Sequence, residues 1–539
     1  MPESRGRGSA NTEAVSRSAD PARSHGHRPR RSATASRVGL VLGFALFFIT
    51  LLLDLQPGNP AATRMAAVAA LMATWWITDA IPLSATALVP VVLFPLLGIA
   101  DGAVTAPIYF NSTIMLYIGG FMIALSMEKW NLHRRIALAI ISVIGGGPAR
   151  LVLSFMLAAS LLSMWISNTA TAVMMVPIGL AIILAMEADF GTVETHAFSV
   201  SLMLGIAYAC SVGGMSTLVG TPPNLSFVRI FAITFPDAPE ISFGPWLLVG
   251  FPISVVMLVC IWLLLTHVFF RVPHHVTIDR EVVKSERAGL GPMTFEEKVV
   301  AAVFATTALL WVFRVRLDLG FISVPGWSDL FADPSFFDDG TVAIAMAALL
   351  FFIPTRSPGA GAARVAGADL IPRLPWDIVL LFGGGFALAY GFRSTGLSQL
   401  IGQQFAGLTG APPFVIVLAV CLVLTFLTEL TSNLATTEMV LPILASVAIA
   451  AQVHPLLLMI PATFSASCAF MLPVATPPNA IIFGSGRVRI AEMARAGIWI
   501  NFIGVIVIAT LFYVLGMPIF SIEPGVLPDW ARVAADSIR

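Results

Sequence analysis

Ser167-Asn-Thr-Ala-Thr171 and Ser432-Asn-Leu-Ala-Thr436 are two versions of one short phrase, 265 residues apart, each set inside an apolar stretch. Leu116-Tyr-Ile-Gly-Gly-Phe121 resembles Leu381-Phe-Gly-Gly-Gly-Phe386 at the same spacing. Thr221-Pro-Pro-Asn224 returns as Thr476-Pro-Pro-Asn479, 255 residues on. The features keep one order in both halves, which is the mark of an internal duplication.

The surroundings of these phrases are strongly apolar. Of 539 residues, 57% are hydrophobic and 11% charged, against about 25% charged in a soluble domain. Mean hydropathy is +0.89. The class is an all-α, multi-span membrane protein. Net charge is zero, so no nucleic-acid footprint is present. Cys210, Cys260, Cys421 and Cys468 lie in apolar segments, with spacing that suits neither a zinc site nor a disulfide framework. They read as small buried apolar residues.

A membrane helix needs roughly 20 mainly apolar residues. Eleven candidate spans fit: 38–55, 62–80, 82–100, 113–128, 200–232, 245–270, 297–315, 340–354, 376–392, 456–486 and 498–520. The stretches 150–185 and 413–450 instead hold two apolar arms around a polar Ser-Asn centre. That pattern predicts two re-entrant hairpins, because non-helical backbone at membrane depth must be buried in protein or line water. From a cytoplasmic N-terminus, the loops placed inside carry Lys129, Arg134, Arg135 and Arg150, then Arg271, Arg280, Lys284, Arg287 and Lys298. Further inside loops carry Arg356, Arg364 and Arg373, then Arg487, Arg489 and Arg495. The outside loop 316–339 is rich in Asp. This is the positive-inside distribution, and it places the C-terminus outside and the protein in a bacterial inner membrane.

Each repeat holds five spans and one hairpin. Five is odd, so the second repeat enters the membrane upside down, as in secondary transporters. The expected organisation is a disordered cytoplasmic tail (1–37), a first span outside the repeat (38–60), the first repeat (61–272), a cytoplasmic linker (273–296), the second repeat (297–520) and a C-terminal tail (521–539).

The phrases suit an anion and a cation together. Asn amides, Ser and Thr hydroxyls and helix N-termini offer neutral donors to an anion. A helix starting after Ser167 or Ser432 aims its positive dipole end at the hairpin tip. Paired prolines break a helix and free carbonyls near Gly220 and Ala475 for sodium. Intramembrane ionisable residues are functional suspects; those noted are Asp79, Glu128, Glu429 and Glu438. An enzyme would need a nucleophile with a base, and no His lies near either tip. No metal-ligand spacing is present.

These residues resemble the divalent anion/sodium symporter family, whose members carry dicarboxylates, citrate or sulfate. The resemblance spans about residues 40–520. It rests on Trp75-Trp-Ile-Thr-Asp-Ala-Ile-Pro-Leu83, both Ser-Asn phrases, and Ala466-Ser-Cys-Ala-Phe-Met-Leu-Pro-Val-Ala-Thr-Pro-Pro-Asn479. It implies a homodimer working as an elevator, with spans 1–4 and 7–9 as scaffold and both hairpins in the moving body. It implies one sodium site at Ser163, Asn168 and Gly220, and another at Thr428, Asn433 and Ala475. The substrate anion is expected against Ser167, Asn168, Thr169, Thr221 and Pro222 on one side, and Ser432, Asn433, Leu434, Thr476 and Pro477 on the other. Sodium is a co-transported ligand, and no cofactor is expected. Leu434 departs from the family's usual Thr at the second tip, and Asp79 stands where Glu is common. The expected activity is sodium-coupled import of a C4-dicarboxylate; a sulfate or citrate carrier, or a sodium-independent exchanger, are the alternatives.

Overall fold

The computed structural model describes residues 33–144, 147–272, 281–318, 323–356, 364–405, 407 and 410–536. Its elements are helical apart from a two-stranded ladder pairing Leu317–Asp318 with Ser323–Val324. Six helices among the described residues are long and apolar enough to cross a membrane: Gly102–Lys129, Asn168–Phe190, Thr192–Gly214, Phe243–Phe269, Asn433–Ala450 and Ile490–Ile519. Of the other expected spans, 62–80 and 297–315 are the unbroken helices Pro60–Thr78 and Phe295–Val312, of 19 and 18 residues, while 82–100 divides into Leu83–Thr86 and Val89–Leu97.

Both hairpins form. The first has arms Pro148–Ser163 and Asn168–Phe190, the second Pro413–Leu427 and Asn433–Ala450. Each second arm starts at the residue after the tip serine, where the N-terminal N–H groups have no intrahelical partner. The expected span 200–232 is two helices, Thr192–Gly214 and Pro222–Thr234, and 456–486 likewise splits into Pro455–Ala466 and Pro477–Gly484. In each case Pro occupies the first two positions of the later helix, where a missing N–H costs nothing.

The halves interlock. Pro222–Thr234 packs against the second hairpin's arm Asn433–Ala450, and Pro477–Gly484 packs against the first hairpin's arm Asn168–Phe190. Tips and breaks from opposite repeats therefore belong to one packed body.

Several boundaries differ from expectation. The helix Ala33–Leu52 begins inside the segment 1–37 assigned to a tail. The Ser36 hydroxyl donates to the Ala80 carbonyl at 2.7 Å and anchors that start. Residues 1–32 lie outside the described residues. The loop 129–150, expected on the cytoplasmic side, carries the helix Leu132–Ile144, whose Leu132, Ala137, Leu138 and Ile141 are buried. Its counterpart 265 residues on is Leu397–Gln404, which turns 79° from Trp376–Ser394. The linker is not bare chain either. Glu281–Gly289 is helical and packs on Leu132–Ile144, while 273–280 lie outside the described residues. The segment 521–539 holds the helix Asp529–Asp536. Trp530 there meets the rings of Phe231, Phe235 and His454 at 5.2–5.5 Å; residues 537–539 lie outside the described residues.

Candidate functional site

At the first tip, Ser167 caps the helix Asn168–Phe190, its hydroxyl oxygen accepting from the Ala170 N–H at 3.1 Å. The N–H groups of Asn168 and Thr169 are left facing the tip. The buried Ser163 hydroxyl donates to Asn168 Oδ1. The first break closes over the same place. A methyl built on Gly214 would come within 2.8 Å of Asn168 Oδ1 and 3.0 Å of the Gly220 carbonyl oxygen. One built on Gly220 would meet the carbonyl oxygens of Gly214 and Met164 at 2.5 and 3.0 Å. Oxygens of Ser163, Asn168, Gly214, Gly220 and Met164 thus converge where glycine leaves room. Hydroxyl, amide and carbonyl oxygens without net charge suit a hard monovalent cation such as sodium.

The second tip repeats the plan with changes. The buried Thr428 hydroxyl lies 2.9 Å from Asn433 Oδ1 and 2.7 Å from the Ala466 carbonyl oxygen. Ser432 makes no side-chain cap, so three N–H groups, those of Asn433, Leu434 and Ala435, open onto this tip. Ala475 is buried in the second break. Ser163, Asn168 and Gly220 lie together at the first tip, and Thr428 and Asn433 at the second.

The breaks are held open by paired devices. Asn224 donates its amide to the carbonyls of Gly214 at 3.2 Å and Thr217 at 2.7 Å. Asn479 donates to Ala469 at 3.0 Å and Leu472 at 3.1 Å, the same ten- and seven-residue steps back. Tyr208 donates its hydroxyl to the Phe470 carbonyl at 2.6 Å, so the first half steadies the second half's break. Glu429 accepts from the N–H groups of Phe470, Met471 and Leu472 at 2.6–3.2 Å and from the Asn501 amide at 2.8 Å. Its carboxylate is therefore committed to shaping the break. Glu128 pairs with Arg373 at 2.6 Å. Asp79 caps a helix in the left-handed region at φ 51°.

Thr221 and Thr476 start the post-break helices and are almost wholly buried. Thr476 Oγ1 accepts from the Asn479 N–H at 3.4 Å. Pro222 and Pro477 follow them, half-buried. Thr169 is half-buried, whereas Leu434 is 5% exposed and packs in the core. The Leu434 side chain is buried in the core, and its N–H lies in the first turn after the tip.

Three parts were missed at the sequence level. The roles of Asn224 and Asn479 were legible in their exact recurrence but were not assigned. Arg229 is an ionisable group inside a span expected to be apolar, and its Nε has no partner among the described residues. The link from Ser226 to Glu438 joins opposite halves, and no local signal marks it.

Residues 34–522 match the family described as the sodium:sulfate symporter transmembrane region. A Staphylococcus saprophyticus protein, the sodium-dependent dicarboxylate transporter SdcS, is 41% identical over 495 residues, covering 90% of this chain and 92% of that protein. Its namesake from Staphylococcus aureus strain MRSA252 is 42% identical over 493 residues, with 90% and 92% covered. The solved structure of Neisseria gonorrhoeae MtrF, described among antimetabolite efflux pumps, shares the fold at a TM-score of 0.53 and 14% identity, covering 90% of this chain and all of that one. With the family match running from Ala33's neighbour to the last long span, and the repeated tips and breaks inside it, the chain belongs to the sodium:sulfate symporter family of multi-pass membrane transporters.

Proposed function

We propose that this carrier couples sodium entry to import of a C4-dicarboxylate such as succinate, malate or fumarate. The observation that carries the reading is the repeated tip: Ser163 with Asn168, and Thr428 with Asn433, each five residues apart beside a helix start. Neutral oxygens on one side of each tip receive sodium. Open N–H groups on the other receive a carboxylate. Sodium bound first adds positive charge at both tips, so the dianion binds after it. Relatives named as sodium-dependent dicarboxylate transporters support this substrate class.

The tips and breaks then travel as one body past the scaffold in an elevator cycle. The cross-packing of each post-break helix on the opposite hairpin supports a single moving unit. Resemblance to the family supports a homodimer. Loop charges support a cytoplasmic N-terminus and an outside C-terminus, and bacterial relatives support a plasma-membrane location. A sulfate carrier is the second reading, favoured by the description of the matching family.

Uptake of labelled succinate, citrate and sulfate into proteoliposomes tests these readings. Succinate uptake driven by an inward sodium gradient is expected. Sulfate or citrate preferred over succinate replaces the substrate, and equal succinate uptake without sodium indicates an exchanger.

A further inference from the structure

Glu438 is wholly buried on the second hairpin's arm Asn433–Ala450. One carboxyl oxygen accepts from the Ser226 hydroxyl, on the post-break helix of the other half. The other oxygen, Oε2, has no hydrogen-bond partner among the described residues. It faces Gly385 of the helix Trp376–Ser394, where any side chain would overlap the carboxyl outright. The group thus sits in a notch where the hairpin arm, the first half's post-break helix and a scaffold-side helix meet.

Among the described residues no counter-charge bonds it. The elements packed on this arm carry Arg229; Asp377, Tyr390 and Arg393; Arg64; and Asp529 and Arg532. None of them bonds to Glu438. Arg64 donates to the Leu97 carbonyl and Arg393 to the Ile233 carbonyl. Arg532 pairs with Asp529. His454, at the start of Pro455–Ala466, accepts from the Leu456 N–H. A buried carboxylate with no cation and one unpaired oxygen is strongly disfavoured, and such a group resolves the cost by binding a positive partner. Among the described residues Ser226 is the one side chain that bonds the carboxyl, and no group of three or more His, Cys, Asp or Glu that could hold a metal ion lies there. A proton needs a single acceptor.

We propose that Glu438 is a proton-binding site, separate from the two sodium cradles, that is occupied when the arm is seated against Gly385. The proton comes from water and adds to one carboxyl oxygen, leaving a neutral acid. Loss of that proton unseats the arm. The site stands on geometry alone. Its effect on transport rests on the elevator reading, in which the arm slides along Trp376–Ser394, so the two are measured separately.

The first measurement is infrared spectroscopy of the purified full-length carrier in lipid at neutral pH, with light and heavy water exchanged. The wild type is expected to show a neutral-carboxyl stretch that disappears in Glu438→Gln and shifts in Ser226→Ala. No such band in the wild type, or one unchanged in Glu438→Gln, overturns the proton site. If Glu438→Gln does not fold, a band unshifted in Ser226→Ala overturns it. The second measurement is succinate uptake between about pH 7 and about pH 9, where dicarboxylates are already ionised. Wild-type uptake is expected to fall several-fold as pH rises, and Glu438→Gln, permanently neutral, to flatten the fall. Identical pH profiles with the band assigned to Glu438 would retain the site and overturn its role in movement.

Discussion

Asn224 and Asn479 hold equivalent positions in the two repeats, and each ties down the carbonyls ten and seven residues before it. A broken helix exposes backbone oxygens that must be satisfied or put to use. These amides take up two of them on each side; on the first side the Gly220 carbonyl beside them belongs to the proposed sodium site. Replacing either Asn by Ala leaves buried carbonyls unpaired, at about 1–3 kcal/mol. Asn224→Ala and Asn479→Ala are therefore expected to lower the melting temperature and to raise the sodium concentration needed for half-maximal uptake. A sodium dependence equal to wild type in a folded variant would show that the amides only pack.

Gly214 lies against Asn168 and Gly220 at the proposed first sodium site. An alanine methyl there would stand 2.8 Å from Asn168 Oδ1, closer than carbon and oxygen approach without contact. Gly214→Ala is expected to weaken sodium binding by about tenfold or more, or at least about 1.4 kcal/mol. The check is thermal stabilisation by sodium chloride over potassium chloride, which reports binding to the folded state directly. Unchanged stabilisation by sodium would place the ion elsewhere.

The C-terminal helix Asp529–Asp536 lies beyond the matched family region, which ends at 522. Trp530 packs on Phe231, Phe235 and His454. Burial pushes His454 down to about 4. In the unfolded chain a histidine titrates near 6.5, so between these values the unfolded state binds more protons. The His454 contribution is then intact above about pH 6.5 and is lost as pH falls toward 4, about 2 kcal/mol by pH 5. His454→Asn keeps an acceptor for the Leu456 N–H but does not titrate. Its melting temperature is expected to drop less than that of the wild type between about pH 7 and about pH 5. Equal drops would remove His454 from the acid response.

Leu434 is buried where Thr169 is half-exposed. A hydroxyl at 434 would enter packing rather than reach the ligand. Leu434→Thr is accordingly expected to lower stability by about 1–3 kcal/mol while leaving the ranking of succinate over sulfate unchanged in competition assays. A rise in sulfate competition would show that this side chain touches the anion.

The tips and breaks were legible because their signals are local and doubled. Ser167 and Ser432 begin helices one residue later, as the phrases suggest, and the prolines of both Thr-Pro-Pro-Asn phrases open helices. What was not legible depends on distant partners. Leu132–Ile144 hides in a charged loop because Arg134 is matched by Glu286 within the linker and Arg135 by Glu297 just after it. The helix beginning at Ala33 is anchored by an acceptor 44 residues away. Trp530 finds its aromatic pocket only after two separate elements, Pro222–Thr234 and the start of Pro455–Ala466, have assembled around it. The orientation of Leu434 is likewise set by packing, since a leucine at a tip fits either direction on sequence alone.

The central claim is that Asn168 and Asn433, one at each repeated tip, jointly serve sodium and substrate. The most direct measurement is sodium-driven succinate uptake by wild type, Asn168→Ala and Asn433→Ala, each reconstituted and normalised to inserted protein. Either substitution takes the amide partner from a buried hydroxyl, Ser163 or Thr428, at about 1–3 kcal/mol, so both variants are expected to lose nearly all uptake while retaining a cooperative melt. Wild-type uptake by either folded variant would contradict a shared two-tip site.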